Sequence, residues 1–178
     1  MHLTKEEARQ IYEEHSPNVY RVALFMTKSA ANSEDIVQET FMIVFQKFDT
    51  YDAARPIKPW IYKIALNEVR KHLNKQRRQL FRKWPTEQTV VSAENDVLQE
   101  EGNHELWNEV SKLGMKYKEV IVLHFYLDFK LSEIAAMLGI PLGTCKSRLF
   151  YALRKLKVAL PKNEGLQISL DKNGGRYI

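Results

Sequence analysis

The sequence predicts an all-α protein in which a linker joins two small helical domains. Apolar residues recur at helical spacing through most of 4–78 and 106–160, and the N-terminal half shows no strand pattern. The stretch 132–160 has the pattern of a helix-turn-helix, two helices separated by a short turn. Two basic blocks, 55–83 and 111–162, are separated by an acidic segment, which is typical of two charged surfaces with a spacer between them.

Length and composition set the expected domain boundaries. A chain of 178 residues can hold two small domains, and its apolar content of 44% is normal for a globular protein. We expect a first domain over 1–83, an acidic linker over 84–105, a second domain over 106–162 and a flexible tail over 163–178.

The distribution of charge indicates a nucleic acid as the partner. The net charge of the chain is +5, but residues 55–83 carry a net +9, residues 84–110 a net −7 and residues 111–162 a net +7. A uniformly solvated surface would not segregate its charges in this way. Two basic surfaces suit two contacts with a polyanion.

Several classes of function are excluded by what the sequence lacks. Cys145 is the single cysteine, which rules out an internal disulfide and a cysteine-rich zinc site, and the five histidines show no ligand spacing. We therefore expect no metal, no cofactor and no small-molecule substrate. No apolar run approaches the roughly 20 residues of a membrane span, and the N-terminus is unlike a signal peptide, so we expect a cytoplasmic protein without direct membrane insertion.

Two helices are predicted before residue 50. The first covers 4–29, with Pro17 at a break or in a first turn. The second covers about 34–48, and Asn32 or Ser33 can cap it. Asp35 and Glu39 are four residues apart in this helix and share a face. Paired carboxylates could serve acid–base chemistry, but an acidic face that is solvated or docked on a basic partner is the stronger interpretation.

A third helix is predicted from about Pro59 into the pair Arg77 and Arg78. Basic residues surround its apolar stripe, and aromatic residues cluster at its start, which is a pattern for binding single-stranded nucleic acid. The alternative is that the rings are core, and we expect at least half of them to be buried. The rings are Phe48, Tyr51, Trp60 and Tyr62, and the nearby cations are Lys58, Lys63, Arg70, Lys71 and Lys75.

The second domain is predicted to contain two helices split near Gly114, followed by the helix-turn-helix. Gly139 ends the first helix of that motif, and Pro141 prevents its continuation. The second helix has an aliphatic face and an opposite face suited to a DNA major groove, with no acid from 143 to 162. The aliphatic face holds Cys145, Leu149, Ala152, Leu153 and Leu156, and the other holds Gly143, Ser147, Phe150, Tyr151 and Arg154 with Lys146 and Arg148 beside it.

Two stretches together resemble one family. SEDIVQETFMIVFQKFD (33–49) and RPIKPWIYKIALNEVRKHLNKQRR (55–78) resemble region 2 of bacterial sigma factors, and LHFYLDFKLSEIAAMLGIPLGTCKSRLFYALRKLK (123–157) resembles region 4. The two regions without others are typical of the small extracytoplasmic-function (ECF) class. The strings EDIVQETF (34–41) and GIPLGTCKSRL (139–149) are the most specific parts of the match.

The resemblance implies partners and residue roles. The partners are core RNA polymerase, contacted at its clamp helices and flap, promoter DNA in duplex and single-stranded form, and an anti-sigma factor. A set on the second helix would bind polymerase: Asp35, Val37, Gln38, Phe41 and Phe45. A second set would recognise and melt the −10 element: Tyr51, Arg55, Lys58, Trp60, Lys63, Asn67, Arg70 and Lys71. A third would read the −35 element: Gly143, Thr144, Lys146, Ser147, Arg148, Tyr151, Arg154 and Lys155.

The sequence also departs from the family pattern. Lys130 stands where a Ser or Thr cap is usual, so the first helix of the motif is expected to start at Ser132. The sequence predicts a transcription initiation factor without an active site of its own. A stand-alone helix-turn-helix repressor is the first alternative, and a resolvase-like recombinase, which needs an α/β domain, is the second.

Overall fold

The computed structural model describes residues 3–82 and 104–160, and over these residues the chain is helices and connecting turns. The chain divides into two compact units, one up to residue 100 and one from residue 101. The predicted all-α class is confirmed. The predicted tail over 163–178, and the predicted linker as far as residue 103, lie outside the described residues. The elements are α1 (Lys5–Thr27), α2 (Ala30–Gln46), a 3₁₀ turn (Phe48–Thr50), α3 (Ile57–Arg82), α4 (His104–Lys112), α5 (Met115–Ile121), a π-helical turn (Val122–Tyr126), α6 (Leu131–Leu138) and α7 (Leu142–Ala159).

Helix α1 is continuous through Pro17, so the expected break or first turn at this proline is wrong. The helix begins with a capping box, in which the Glu7 amide donates to Thr4 Oγ1 over 3.2 Å and the Thr4 amide donates to Glu7 Oε2 over 2.8 Å. Pro17 removes one hydrogen bond, to the carbonyl of Glu13. Both residues are exposed, so water can satisfy that carbonyl.

Helix α2 starts earlier than predicted because Ser29 caps it. The Asn32 amide donates to Ser29 Oγ over 3.3 Å. Ser33, one of the two predicted caps, is instead buried inside the helix, where its hydroxyl donates to the Ser29 carbonyl over 2.7 Å. Three serine or asparagine residues within five positions offer the same capping chemistry, and the chain uses the first of them.

Helix α3 starts at Ile57, two residues before the predicted start. Pro59 therefore lies in the first turn, where its missing N–H has no partner to lose. One face of α3 packs against α1 and α2 and completes the core of the first unit. Its buried apolar residues are Ile61, Tyr62, Ala65, Leu66 and Val69, and the facing ones include Val19, Val22, Ala23, Ile36 and Val44.

A polar cluster joins α2 to α3 at the edge of this core. His72 Nε2 lies 3.1 Å from Glu39 Oε2, and Lys71 Nζ lies 2.9 Å from Glu68 Oε2 and 3.5 Å from Glu39. Burial by itself raises the pKa of the Glu39 carboxyl, but hydrogen bonds with Glu68 and His72 and the charge of Lys71 outweigh burial and lower it. The Lys71 ammonium group thus contacts both carboxyl groups, and the His72 imidazole contacts that of Glu39.

The second unit is built around the apolar face of α7, which packs against α4, α5 and α6. The predicted split of the two preceding helices is confirmed: α4 ends at Lys112, and Gly114 is the N-cap residue of α5. After α5 the chain widens into a π-helical turn, in which the Leu127 amide donates to the Val122 carbonyl over 3.1 Å.

The predicted helix-turn-helix is present as α6 and α7. Helix α6 starts at Leu131, one residue before the expected Ser132, because Lys130 adopts the extended N-cap conformation and its amide donates to Glu133 Oε2 over 2.8 Å. Gly139 ends α6 with a φ of 65°, in the left-handed region, as its position in the sequence predicts.

Substituting two glycines should separate backbone strain from packing. A Cβ added at Gly139 or at Gly143 would meet nothing within 4 Å, but only Gly139 has a positive φ. Gly139→Ala should therefore lower the free energy of unfolding by about 1–2 kcal/mol. Gly143→Ala, in the first turn of α7 and with a negative φ, should instead raise it, by up to about 0.5 kcal/mol. Urea denaturation of the full chain measures both, and equal effects would contradict the role of the Gly139 turn.

Candidate nucleic-acid interface

Helix α7 separates a buried aliphatic face from an exposed polar face, as the sequence predicts. The five aliphatic positions from Cys145 to Leu156 are each at most 3% exposed. Of the predicted −35 residues, six are exposed and Thr144 and Arg148 are half-buried. The exposed residues are Gly143, Lys146, Ser147, Tyr151, Arg154 and Lys155.

Two details of α7 modify what its side chains can donate. The Ser147 hydroxyl donates to the Thr144 carbonyl over 3.0 Å, so it must rotate before it can donate to a base. Burial raises the pKa of the Cys145 thiol, and the nearby Arg148 only partly opposes this, so the cysteine is a neutral packing residue.

Phe150 belongs to the exposed face of α7 but was absent from the predicted −35 set. It is 47% exposed, and its ring centroid lies 5.7 Å from that of Tyr151, which is 50% exposed. Two exposed rings on a polar helix face are a signal that the sequence already contained, because apolar side chains that face a major groove can contact thymine methyl groups.

In the first unit, the loop after the 3₁₀ turn is held together by its own contacts. The Tyr51 hydroxyl donates to the Arg55 carbonyl. The Ala54 amide donates to Asp52 Oδ1 over 3.1 Å, and Arg55 Nε lies 3.1 Å from Asp52 Oδ2. Burial first and the charge of Asp52 second raise the pKa of the Tyr51 hydroxyl, so it stays protonated and able to donate. The loop therefore has a defined shape before any ligand arrives.

The aromatic residues around this loop form a cluster. The ring of Tyr51 lies 5.0 Å from that of Trp60 and 5.8 Å from that of Phe48. These three rings are half-buried, and only Tyr62 is fully buried. We expected at least half of the four rings to be buried. This prediction is wrong, because one ring is fully buried and the other three form a cluster at the protein surface, where α3 begins.

The predicted −10 residues of α3 divide into two groups. Lys63 and Asn67 are exposed on one stripe, and Arg70 Nη1 lies 3.5 Å from Asn67 Oδ1 on the same stripe. Lys71 is different, because its ammonium group is engaged by Glu68 and Glu39. Two ion pairs reduce its availability for phosphate.

The predicted polymerase-binding set on α2 also divides. Asp35 and Gln38 are exposed and Phe45 is half-buried, but Val37 and Phe41 are core residues at 6% and 2% exposure. The Phe41 ring packs edge-on against Tyr12, with 4.9 Å between the ring centroids. Phe41 therefore supports the helix from inside, whereas Val37, although mostly buried, lines a surface groove between α1 and α2.

Met42 is the residue on α2 that the sequence reasoning missed. It is 59% exposed and lies one turn after Gln38, so Asp35, Gln38 and Met42 share an outer stripe. Next to this stripe a groove of about 360 Å³ runs between α1 and α2. Glu39 does not belong to the outer stripe with Asp35, because it turns toward His72 of α3.

Within 3–82 and 104–160, no cluster of three or more His, Cys, Asp or Glu side chains could hold a metal ion. None of the helices in these ranges is long and apolar enough to cross a membrane.

Comparisons with known proteins agree with this geometry. The family model of Sigma-70 region 2 matches residues 11–79, and that of Sigma-70 region 4 matches residues 103–156. The chain is 32% identical over 158 residues to the ECF RNA polymerase sigma factor SigL of Mycobacterium tuberculosis, covering 85% of this chain and 88% of SigL. This protein is an ECF sigma factor. It is also 30% identical to the RNA polymerase sigma factor SigV of Bacillus subtilis, with 85% of this chain and 89% of SigV covered.

Two solved structures share the fold of this ECF sigma factor. The sigma factor RpoE of Bartonella quintana, solved in complex with the anti-sigma factor NepR, matches with a TM-score of 0.70 at 23% identity, covering 87% of this chain and 97% of RpoE. CnrH, solved in complex with the cytosolic domain of CnrY, matches with a TM-score of 0.66 at 23% identity, covering 90% of this chain and 91% of CnrH.

Removing the Tyr51 hydroxyl should test whether the shape of the loop matters to the ECF sigma factor. Tyr51→Phe keeps the ring against Trp60 but loses the bond to the Arg55 carbonyl, which is worth about 1 kcal/mol. We expect promoter opening to slow by about fivefold, whereas the thermal midpoint of the protein should fall by no more than about 4–8 °C, so the variant stays folded at the assay temperature. Permanganate reactivity of unpaired thymines measures opening. Wild-type opening by this variant would show that the bond does not order the loop for function.

Proposed function

We propose that this ECF sigma factor binds core RNA polymerase and directs it to promoters by reading a −35 element with α7 and a −10 element with α3. The observation that supports this most is the occurrence of two exposed cationic helix faces, one in each unit, in a chain that matches sigma regions 2 and 4 in order. A repressor needs one DNA-reading face and has no use for the second.

The −35 contact is assigned to the exposed face of α7. Arg148 and Lys146 can donate to guanine edges or to phosphates, and Ser147 can donate to either once its hydroxyl rotates. Lys155 lies two turns beyond Arg148, where a long cation suits the DNA backbone. The complete proposed set is Gly143, Thr144, Lys146, Ser147, Arg148, Tyr151, Arg154 and Lys155.

The −10 contact is assigned to the ordered loop and the stripe of α3. Extruding a base costs a few kcal/mol, so a pocket must return a similar amount through stacking and edge hydrogen bonds. The loop from Tyr51 to Arg55 and the ring of Trp60 supply the pocket, and Asn67 offers both a donor and an acceptor. Lys58, Lys63 and Arg70 neutralise adjacent phosphates, and Lys71 contributes mainly to the cluster with Glu39.

The polymerase contact is assigned to the outer stripe of α2. Asp35, Gln38 and Met42 combine an anion, an amide and an exposed apolar side chain, which suits a basic helical partner such as the clamp helices. Phe45 lies at the edge of this surface. Region 4 would contact the flap. An anti-sigma factor is also proposed as a partner, by analogy with RpoE, which was solved in complex with the anti-sigma factor NepR.

These assignments retain the expected domain organisation. We propose region 2 over 1–83, the acidic linker over 84–105, whose last two residues already belong to α4, region 4 over 106–162 and a tail over 163–178. Because its partners are RNA polymerase and DNA, the protein would act in the cytoplasm as a binding factor without chemistry of its own.

Paired variants with core polymerase should separate the two promoter contacts. Arg148→Ala should reduce discrimination between an intact and a scrambled −35 element by about 1–3 kcal/mol. Asn67→Ala should leave that discrimination intact and reduce promoter opening, and a pre-melted bubble template should recover much of the opening. Run-off transcription and permanganate reactivity measure the two effects.

The repressor alternative makes a different prediction for the same protein. A repressor would protect duplex promoter DNA as strongly alone as with polymerase, since its function needs no partner. A sigma factor should bind duplex weakly when free. Strong protection by the free protein in a footprint, together with no stimulation of run-off transcription, would overturn the proposed function.

A further inference from the structure

We propose that Lys116 and Lys155, each held by a cation–π contact with the Tyr117 ring, form a phosphate-binding pair that extends the −35 contact beyond α7 to α5. The ammonium groups of Lys116 and Lys155 lie 4.9 Å and 5.1 Å from the centroid of the Tyr117 ring. This inference rests on the proposed −35 contact of α7.

The arrangement brings two positively charged side chains close to each other at the surface. The two distances to the ring centroid together keep the ammonium groups within about 10 Å of each other. Both lysines are exposed, and among the described residues neither forms an ion pair with a carboxylate.

The Tyr117 ring explains how two flexible side chains stay in place. Lys116 precedes Tyr117 in α5, whereas Lys155 reaches it from α7, so the cation–π contact with Lys155 joins two helices. The negative face of an aromatic ring attracts ammonium groups by about 0.5–1 kcal/mol at an exposed site. A preorganised pair loses less side-chain entropy on binding than two free lysines would.

The position of the pair favours DNA phosphate over other anions. Thr144, Arg148, Tyr151 and Lys155 follow one another at spacings of three and four residues, so they share one stripe of α7. Lys155 is the last member of this stripe, and its ammonium group lies over the ring of Tyr117 in α5. A cation pair at the border of a major-groove-reading face lies where the sugar–phosphate backbone flanks the groove.

Salt dependence of promoter binding by the complete holoenzyme tests the pair. Each phosphate contact contributes about 0.9 to the slope of log K against log salt. Lys116→Ala should reduce the slope by that amount, so that the fall in affinity between 50 and 200 mM salt is about 3.5-fold smaller than for wild type. The loss should be equal on promoters with an intact and with a scrambled −35 element, because phosphate carries no sequence information.

Matched variants distinguish this role from general effects of charge and folding. Lys112→Ala removes an equally exposed lysine whose ammonium group pairs with Glu109, and it should leave the slope unchanged. Tyr117→Phe keeps an aromatic face and should behave as wild type, whereas Tyr117→Leu should weaken binding in the wild-type background but not when both lysines are already alanine. A thermal melt of each variant confirms that it is folded.

Either of the next two outcomes would overturn the inference. An unchanged slope for Lys116→Ala means that Lys155 acts alone or that neither lysine meets phosphate. Loss of binding to core polymerase in a DNA-free assay means that the pair contacts an acidic surface of polymerase. If the wild-type holoenzyme shows no preference for a −35 element, the proposed function has failed, which is distinguishable from a failure of the lysine pair alone.

Discussion

Burial of one aliphatic seam on each reading helix is the constraint on which the interface depends. On α7 the seam from Cys145 to Leu156 has no exposed member, and on α3 the residues Ile61, Ala65 and Val69 are equally enclosed. Each helix is thereby fixed in its rotation about its own axis. A turn of about 100° on α7 would bring Arg148 into the core and expose Leu149, at a cost of several kcal/mol. The hydrophobic core therefore selects the residues that remain available for DNA.

Polar contacts then decide which of the available cations are free to act. The cluster of Glu39, Glu68, Lys71 and His72 uses charge to hold α3 against α2, so the helix proposed to bind polymerase and the helix proposed to read the −10 element are joined by ion pairs as well as by their core. In the other unit Tyr117 holds Lys155 beside Lys116. Lysines that look equivalent in the sequence thus divide into those engaged by carboxylates, such as Lys71, and those proposed to meet DNA, such as Lys116 and Lys155.

Much of this could be predicted from local pattern, and the rest required tertiary contacts. The seam of α7 and the end of α6 at Gly139 follow from helical periodicity and from the left-handed conformation that glycine tolerates. The capping residue of α2 could not be chosen among chemically similar candidates. The pairing of Lys71 with Glu39 spans 32 residues, and the burial of Phe41 beside the exposure of Met42 depends on how α1 packs. The role of Lys116 becomes visible only when α7 brings Lys155 to the same ring.

The most direct test of two separate DNA contacts is to map them on one promoter. Asn74→Cys on the exposed stripe of α3 and Phe150→Cys on α7 place thiols beside the two proposed contacts, and an iron chelate tethered there cleaves nearby DNA. The native Cys145 is buried, so the wild-type protein is the unlabelled control. We predict cleavage near the −10 element from residue 74 and near the −35 element from residue 150, both only with core polymerase. Cleavage of the same element from both positions, or equal cleavage of DNA that lacks a promoter, would contradict the account.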